Sequence, residues 1–276
     1  MQHSPHQRFA ELISLPDEKI DLIEAALVIA AEAYPNLDVE HYLQKFDALV
    51  QEAQEYFKGV FTGNDRVSRL CDFLFVRQGF TGSQTDYYDP RNNFLNEVLD
   101  RKIGIPITLA IVYIGVAQSC GWELHGINFP GHFLTKYVGE DGEIILDPFN
   151  AKILNEKECK IRYQAIMRTD KPVDQLYLQK AQPREILVRI LRNLKNVYMK
   201  KEKLEDALSC CDRILMLETD SMIELRERGL LYYKLECFQE AQNDLERLLL
   251  LASDEMPTED IQYVLTKIHR QVSQIN

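Results

Sequence analysis

The sequence predicts an α+β protein that is mostly helical, with a small antiparallel sheet in its middle and helical repeats at its C-terminal end. Three patterns predict this. Apolar residues recur at helical spacing from Phe9 to Phe61, three strand-like segments follow one another between 127 and 146, and the last third repeats with a period of 34 residues. At 276 residues the chain exceeds one average domain. We therefore expect a first domain at 1–180, with its core at about 80–150, and a repeat domain at 181–276.

The N-terminal segment predicts three helices. The first begins near Pro16, where acidic residues follow as in a first helical turn, the second begins near Asp38, and the third covers Asn64 to Val76. A polar loop at 81–93, rich in tyrosine, asparagine and aspartate, comes next. Two interpretations of this loop stay open: a recognition surface, or a connection pinned over the mouth of a cleft.

The central segment predicts one buried helix and then strands. The apolar run from Ile105 to Ala117 suits a buried helix, and a proline in its first turn is tolerated because that N–H has no partner within the helix. The strands are expected at 127–129, 133–138 and 143–146, with 139–142 as the last turn. His132 would then lead one strand, and Asp147 would end the next.

Four blocks carry a resemblance to a known family. They are YYDPRNNFL from Tyr87, GIPIT from Gly104, FPGHF from Phe129 and DPFN from Asp147. Together they resemble the transglutaminase-like superfamily, and more specifically the bacterial SirB-type proteins, which join such a domain to tetratricopeptide repeats. The resemblance implies a cysteine nucleophile at the helix start, a histidine base and an orienting aspartate. The family's helix entry reads Gly-x-Cys with Ala four residues later, so Pro106 stands where the cysteine is expected.

The missing thiol leaves few substitutes. The Thr108 hydroxyl, with His132 as its base, is one candidate nucleophile, although a threonine there more often caps or back-bonds the first turn. Cys120 follows Pro106 by fourteen residues, about 21 Å along a helix, which places it at the wrong end. The remaining cysteines are expected to be packed thiols: Cys71, Cys159, Cys210, Cys211 and Cys237.

His132 and Asp147 are the expected catalytic remnant. We expect the two side chains to be hydrogen-bonded, either as a structural pair or as polar contacts in a cleft that binds without cutting. The candidate cleft-binding residues come from the loop and from the end of the last strand: Tyr87, Tyr88, Asp89, Asn92, Asn93 and Phe149. No cofactor and no metal site is expected, because the cysteines lack adjacent histidines and metal-type spacing.

Composition limits the classes of partner and the cellular location that we expect for this chain. A formal net charge of −11 disfavours nucleic acid, and Lys195, Lys200, Lys201 and Lys203 are interpreted as the solvated end of one helix. No signal segment is apparent and no apolar stretch reaches the ~18 residues of a membrane span. Six dispersed cysteines favour reduced thiols, so a cytoplasmic location without membrane contact is predicted.

The 34-residue offset is that of tetratricopeptide repeats. It superposes Tyr198 on Tyr232 and Ala207 on Ala241, whereas Gly229 falls on Lys195, a departure from the small residue expected there. A final capping helix is predicted at 259–272, with four apolar side chains inward: Ile261, Val264, Leu265 and Ile268. Such repeats either offer a concave face to a peptide or only buttress the first domain.

Three classes of function follow. The favoured one is a non-catalytic interaction or regulatory protein that binds a protein or peptide partner. The alternative is a hydrolase or acyltransferase that acts on amide or ester bonds through a hydroxyl or a repurposed His132–Asp147 pair. Binding of nucleic acid or of a small ligand is the third.

Overall fold

The computed structural model describes residues 4–60, 62–140, 142–253 and 257–275. Asp141, in the predicted turn, and Phe61 lie outside the described residues. The chain divides into two compact units, Met1–Ile190 and Leu191–Asn276. This division falls ten residues after the expected one. Residues 181–190 belong to the first unit because the Ala181 N–H donates to the Gly126 carbonyl at 2.8 Å and Arg184 bonds to Asp17 at 2.5 Å.

The first unit is rich in helices. Their bounds are α1 (Pro5–Ile13), α2 (Leu22–Ala33), α3 (Val39–Tyr56), α4 (Gly63–Cys71), α5 (Leu95–Arg101), α6 (Pro106–Ser119) and α7 (Glu156–Met167). A π-helical turn extends α4, so this helical stretch ends close to the predicted one. Short 3₁₀ turns lie at Asp17–Lys19, Pro90–Asn93 and Gln175–Leu178.

Aspartate caps determine where α2 and α3 begin. Asp38 accepts the His41 N–H at 3.0 Å, which confirms the predicted start of α3. The helix predicted from Pro16 is wrong in its start. Asp17–Lys19 forms only a 3₁₀ turn, and α2 begins after Asp21, whose carboxylate accepts the N–H groups of Ile23 and Glu24 at 2.9 and 3.0 Å. The Asp21 cap determines the start of α2 because its carboxylate satisfies two main-chain donors.

Two sheets position the central segment. β1 (Thr81–Gly82) and β2 (Ile103–Gly104) form a short parallel pair that the sequence patterns did not predict. An antiparallel sheet follows in the order β3 (Leu124–Ile127), β4 (Leu134–Gly139), β5 (Gly142–Asp147) and β6 (Lys152–Leu154). The first strand was predicted three residues too late, because 128–132 forms a turn that the His132 N–H closes on the Phe129 carbonyl at 3.2 Å. β6 was not predicted.

The helix α6 forms the centre of the first unit. Pro106 is its first residue, as predicted, and every side chain from Pro106 to Ile114 is buried. One face of α6 packs against β3 and β4 and another against α2 and α3. A helix that is apolar all round belongs in such a core.

The second unit begins within α8 (Pro183–Lys200) and continues with helical hairpins. The helices of this unit after α8 are α9 (Leu204–Leu217), α10 (Met222–Lys234), α11 (Phe238–Leu251) and α12 (Glu259–Ile275). Ala207 and Ala241 are fully buried, and a side chain on Gly229 would meet Leu245 at 2.7 Å, so small residues allow these helices to approach closely. Three side chains of α12, Ile261, Leu265 and Ile268, are buried in one hydrophobic cluster with Ala241 and Leu245 of α11. This packing confirms the capping helix.

Two surface predictions are wrong. Lys195 is not part of a solvated helix end: it is 4 % exposed and its ammonium contacts Glu224 and Glu227, whereas Lys200, Lys201 and Lys203 are exposed. Cys237 is exposed rather than packed. No helix within the described residues is long and apolar enough to cross a membrane.

Candidate functional site

The start of α6 holds Pro106, at the position where the resemblance to the superfamily implies a thiol. Pro106 offers neither a nucleophile nor a main-chain N–H there. The Thr108 hydroxyl is buried, accepts the Ile105 N–H at 3.1 Å and donates to the Asn92 carbonyl at 2.8 Å. These bonds favour the capping role of Thr108 over the role of a nucleophile, because its proton and one lone pair are already engaged.

The cysteines do not replace the thiol at this place. Cys120 follows the last residue of α6, at the end opposite to Pro106, as predicted. Burial raises the pKa of the Cys120 thiol, and it raises the pKa of Cys71 to about 12. Thiols in such settings stay protonated at neutral pH and are weak nucleophiles.

His132 lies in the turn before β4, half-buried, with its ring centre 6.2 Å from that of Phe149. Its Nδ1 is buried and has no hydrogen-bond partner within the described residues. Burial lowers the pKa of His132 below its ordinary value; Asp147 partly offsets this, while Arg162 and Arg189 lower it further. At neutral pH the imidazole is therefore uncharged, and Asp147 does not orient it through a hydrogen bond to Nδ1.

Asp147 ends β5, as predicted, but its carboxylate binds other groups than His132. Oδ2 accepts from Arg162 at 2.7 Å and from the Asn150 side chain at 2.7 Å, while Oδ1 accepts the Phe149 N–H at 3.1 Å. The side chain is fully buried. The expected His132–Asp147 hydrogen bond is therefore wrong, because an arginine from α7 and the turn after β5 occupy the carboxylate.

The candidate cleft residues divide into two groups. Tyr87 and Tyr88 are 44 % and 54 % exposed, and the Tyr87 ring lies 6.3 Å from Phe149, next to His132. The other three are buried, and two of them are engaged in the loop itself, whereas the Asn93 Oδ1 has no hydrogen-bond partner within the described residues. Asp89 binds the Arg91 guanidinium at 2.6 Å, the Asn92 amide donates to the Asp86 carbonyl at 2.7 Å, and Asn93 is 3 % exposed. The structure thus brings Tyr87, Phe149 and His132 together.

The sequence patterns missed two arginines of this site. Arg162 in α7 binds Asp147, and Arg189 in α8 lies over the Phe133 ring at 5.3 Å. Both lie far along the chain from the block that they complete, and neither has a local sequence signal.

Among the residues that the structure describes, metal-ligating side chains do not gather at this site. Within the described residues, one group of suitable donors lies elsewhere, at Cys211, Glu224 and Glu227. The Lys195 ammonium binds both of these glutamates and supplies the positive charge that a metal ion would bring. Cavities of about 530, 930 and 620 Å³ in the first unit are lined by residues other than His132, Asp147 and Thr108.

Two histidines make stability depend on pH. Burial lowers the pKa of His125 and of His132 below the ordinary value of about 6.5. Below that value the unfolded chain binds more protons than the folded chain, so the contribution of the two histidines is complete above it and is lost as the pH falls from it through the lower pKa of the folded state. We expect the free energy of unfolding in urea to fall between pH 7.5 and pH 5, and the His125→Gln/His132→Gln variant to lose less of it over this range.

The control for removing an imidazole is the exposed His41→Gln variant. An equal pH slope in wild type and in the double variant would show that these two histidines do not cause the dependence.

Comparisons with known proteins agree with the fold. The transglutaminase-like superfamily matches residues 40–192, and a tetratricopeptide repeat family matches residues 194–266. UPF0162 proteins are similar over most of their length: one from Xylella fastidiosa is 39 % identical, covering 87 % of each chain, and one from Pseudomonas aeruginosa is 34 % identical, covering 92 % of each chain. Protein SirB1 of Salmonella typhimurium is 25 % identical, covering 83 % of this chain and 86 % of its own.

The fold and the site thus define a transglutaminase-like domain followed by tetratricopeptide-type repeats. The chain belongs to the transglutaminase-like superfamily and to the UPF0162 group of bacterial proteins, and it is similar to SirB1.

Proposed function

We propose that this chain is a non-catalytic transglutaminase-like protein that acts by binding a protein or peptide partner. The observation that carries the proposal is the start of α6, where Pro106 replaces the thiol and the Thr108 hydroxyl donates to the Asn92 carbonyl. A thiol enzyme needs a nucleophile within reach of its base and a third group that orients the base. The bonds of Asp147 to Arg162 and Asn150 remove the third element as well.

The repeats support the binding part of the proposal. Helical repeats of the tetratricopeptide type present extended surfaces to peptides or helices. In the second unit Ile223 and Tyr263 are 64 % and 61 % exposed, side chains that a partner could cover. The proposal places this interaction in the cytoplasm, where the six free cysteines stay reduced.

An assay of acyl transfer and hydrolysis tests the proposal. We expect wild type to turn over no probe in a panel of activated acyl, glutaminyl and ester compounds, and Pro106→Cys to remain folded by circular dichroism. Covalent capture of a probe by Pro106→Cys would show that the frame lacks only the thiol.

Turnover by wild type that disappears in a folded His132→Ala variant would contradict the proposal. It would favour the second candidate, a hydrolase or acyltransferase with a hydroxyl nucleophile. In that case Thr108→Val, which removes the hydroxyl and keeps the shape, should abolish the same turnover, whereas an unaffected Thr108→Val would place the nucleophile elsewhere.

A further inference from the structure

Arg189 carries a positive charge that no carboxylate within the described residues neutralises. The side chain is partly buried, with its Cζ 5.3 Å from the centre of the Phe133 ring and its Nη1 donating to the neutral Asn128 Oδ1 at 3.2 Å. Charged groups withdrawn from water are normally paired, because desolvation costs free energy. A guanidinium has five N–H donors, so Arg189 retains capacity for an anion from another molecule.

The charges of the other ionisable groups near His132 cancel one another. Arg162 and Asp147 form an ion pair at 2.7 Å, and burial lowers the pKa of His132, so that the imidazole is neutral at neutral pH. One unit of positive charge therefore remains, on Arg189, in a chain whose net charge is −11. A single carboxylate matches this charge, whereas a phosphate dianion would leave an excess of negative charge beside Asp147.

Aromatic and apolar side chains lie near Arg189 and near His132. Burial raises the pKa of Tyr87, and the charge of Arg189 partly offsets the rise, which indicates that the two groups are close. Tyr87 contacts Phe149 ring to ring, and Phe149 contacts His132. Ile166 is 42 % exposed and lies so close to Gly131, the neighbour of His132 in the chain, that a side chain on Gly131 would meet it at 2.9 Å.

We propose that the surface formed by Arg189, Tyr87, Phe149 and Ile166 binds an acidic peptide segment of a partner protein. One carboxylate of the peptide pairs with the Arg189 guanidinium, and a neighbouring apolar side chain packs against Tyr87 and Phe149. The inference rests on the proposed function, since it names the chemistry of the partner. Aromatic and arginine side chains are the residue types that most often dominate such interfaces.

Short acetylated and amidated peptides test this inference. Each carries aspartate, asparagine or phosphoserine at its centre, with leucine or serine as neighbours, and binding to the full-length protein is followed by fluorescence anisotropy. We expect wild type to prefer aspartate flanked by leucine. Arg189→Gln should weaken that binding by about tenfold or more, because a hydrogen bond to a charged group is lost.

The control is Arg77→Gln, which removes another guanidinium that stacks on a ring, 4.4 Å from the centre of Tyr56, but on an exposed helix end. It should leave peptide affinity unchanged. Arg189→Lys keeps the charge without the planar donor pair, so it should bind with intermediate affinity and provides a test if Arg189→Gln does not fold.

Three outcomes would overturn the inference: wild type binding none of the peptides, equal affinities of wild type and a folded Arg189→Gln variant, or preference for phosphoserine over aspartate. A different result would refute the proposed function. Peptide binding that ignores Arg189 leaves a non-catalytic binding protein intact, whereas turnover of acyl probes by wild type refutes the proposed function whichever residue recognises the peptide.

Discussion

Glu224→Gln should cost about 3 kcal/mol of unfolding free energy, because it breaks a buried ion pair and leaves one partner charged. Glu224 is fully buried, contacts the Lys195 ammonium and accepts from Arg192 at 2.9 Å. Burial lowers the pKa of Lys195, but its hydrogen bonds to Glu224 and Glu227 raise it above the ordinary value overall. The lysine therefore stays charged, and the glutamine directs an amide instead of a carboxylate at it. Urea unfolding followed by circular dichroism at 222 nm measures the loss.

Two further variants complete this experiment. Asp260→Asn breaks the exposed pair with Arg226 in the same unit and should cost less than about 1 kcal/mol. The double variant Lys195→Met/Glu224→Met removes both buried charges and should recover most of the stability lost in Glu224→Gln. If Glu224→Gln lowered the free energy of unfolding by as little as Asp260→Asn, the buried pair would contribute little to stability.

Asp147→Asn should also cost about 3 kcal/mol, although the two side chains have the same shape. An asparagine keeps one acceptor for the Phe149 N–H but turns an N–H₂ group toward Arg162 and the Asn150 amide, both of which are donors. The guanidinium of Arg162 then loses its buried partner. The unfolding of the first unit can be followed by the fluorescence of Trp122, the single tryptophan of the chain, which is buried.

Lys152 provides the matched control, because it lies opposite Asp147 in the register of β5 and β6, its side chain is 55 % exposed and its ion-pair partner is Glu158. Lys152→Gln removes an exposed ion pair and should cost less than about 1 kcal/mol. If Asp147→Asn lowered the free energy of unfolding by an equally small amount, the carboxylate would not be needed for stability. The interpretation of Asp147 as a structural residue would then be wrong.

Local chemistry determined a large part of the fold from sequence alone. The Asp38 cap, the proline at the first position of α6, the apolar run behind it and the 34-residue period each act through neighbours in the chain, and each predicted its element. At the start of α2 the sequence pattern placed the first turn at Pro16, whereas the helix begins after Asp21.

Tertiary structure alone decided which charged groups meet. The sequence placed His132 and Asp147 in neighbouring strands, but the partner of Asp147 is Arg162, which comes from the following helix. It identified Lys195 as an exception to the repeat, but the burial of that lysine depends on two glutamates from α10. A sequence pattern predicts which residues share a face of one helix or strand. The pairing of a buried charge depends on side chains from other elements, and only packing brings those together.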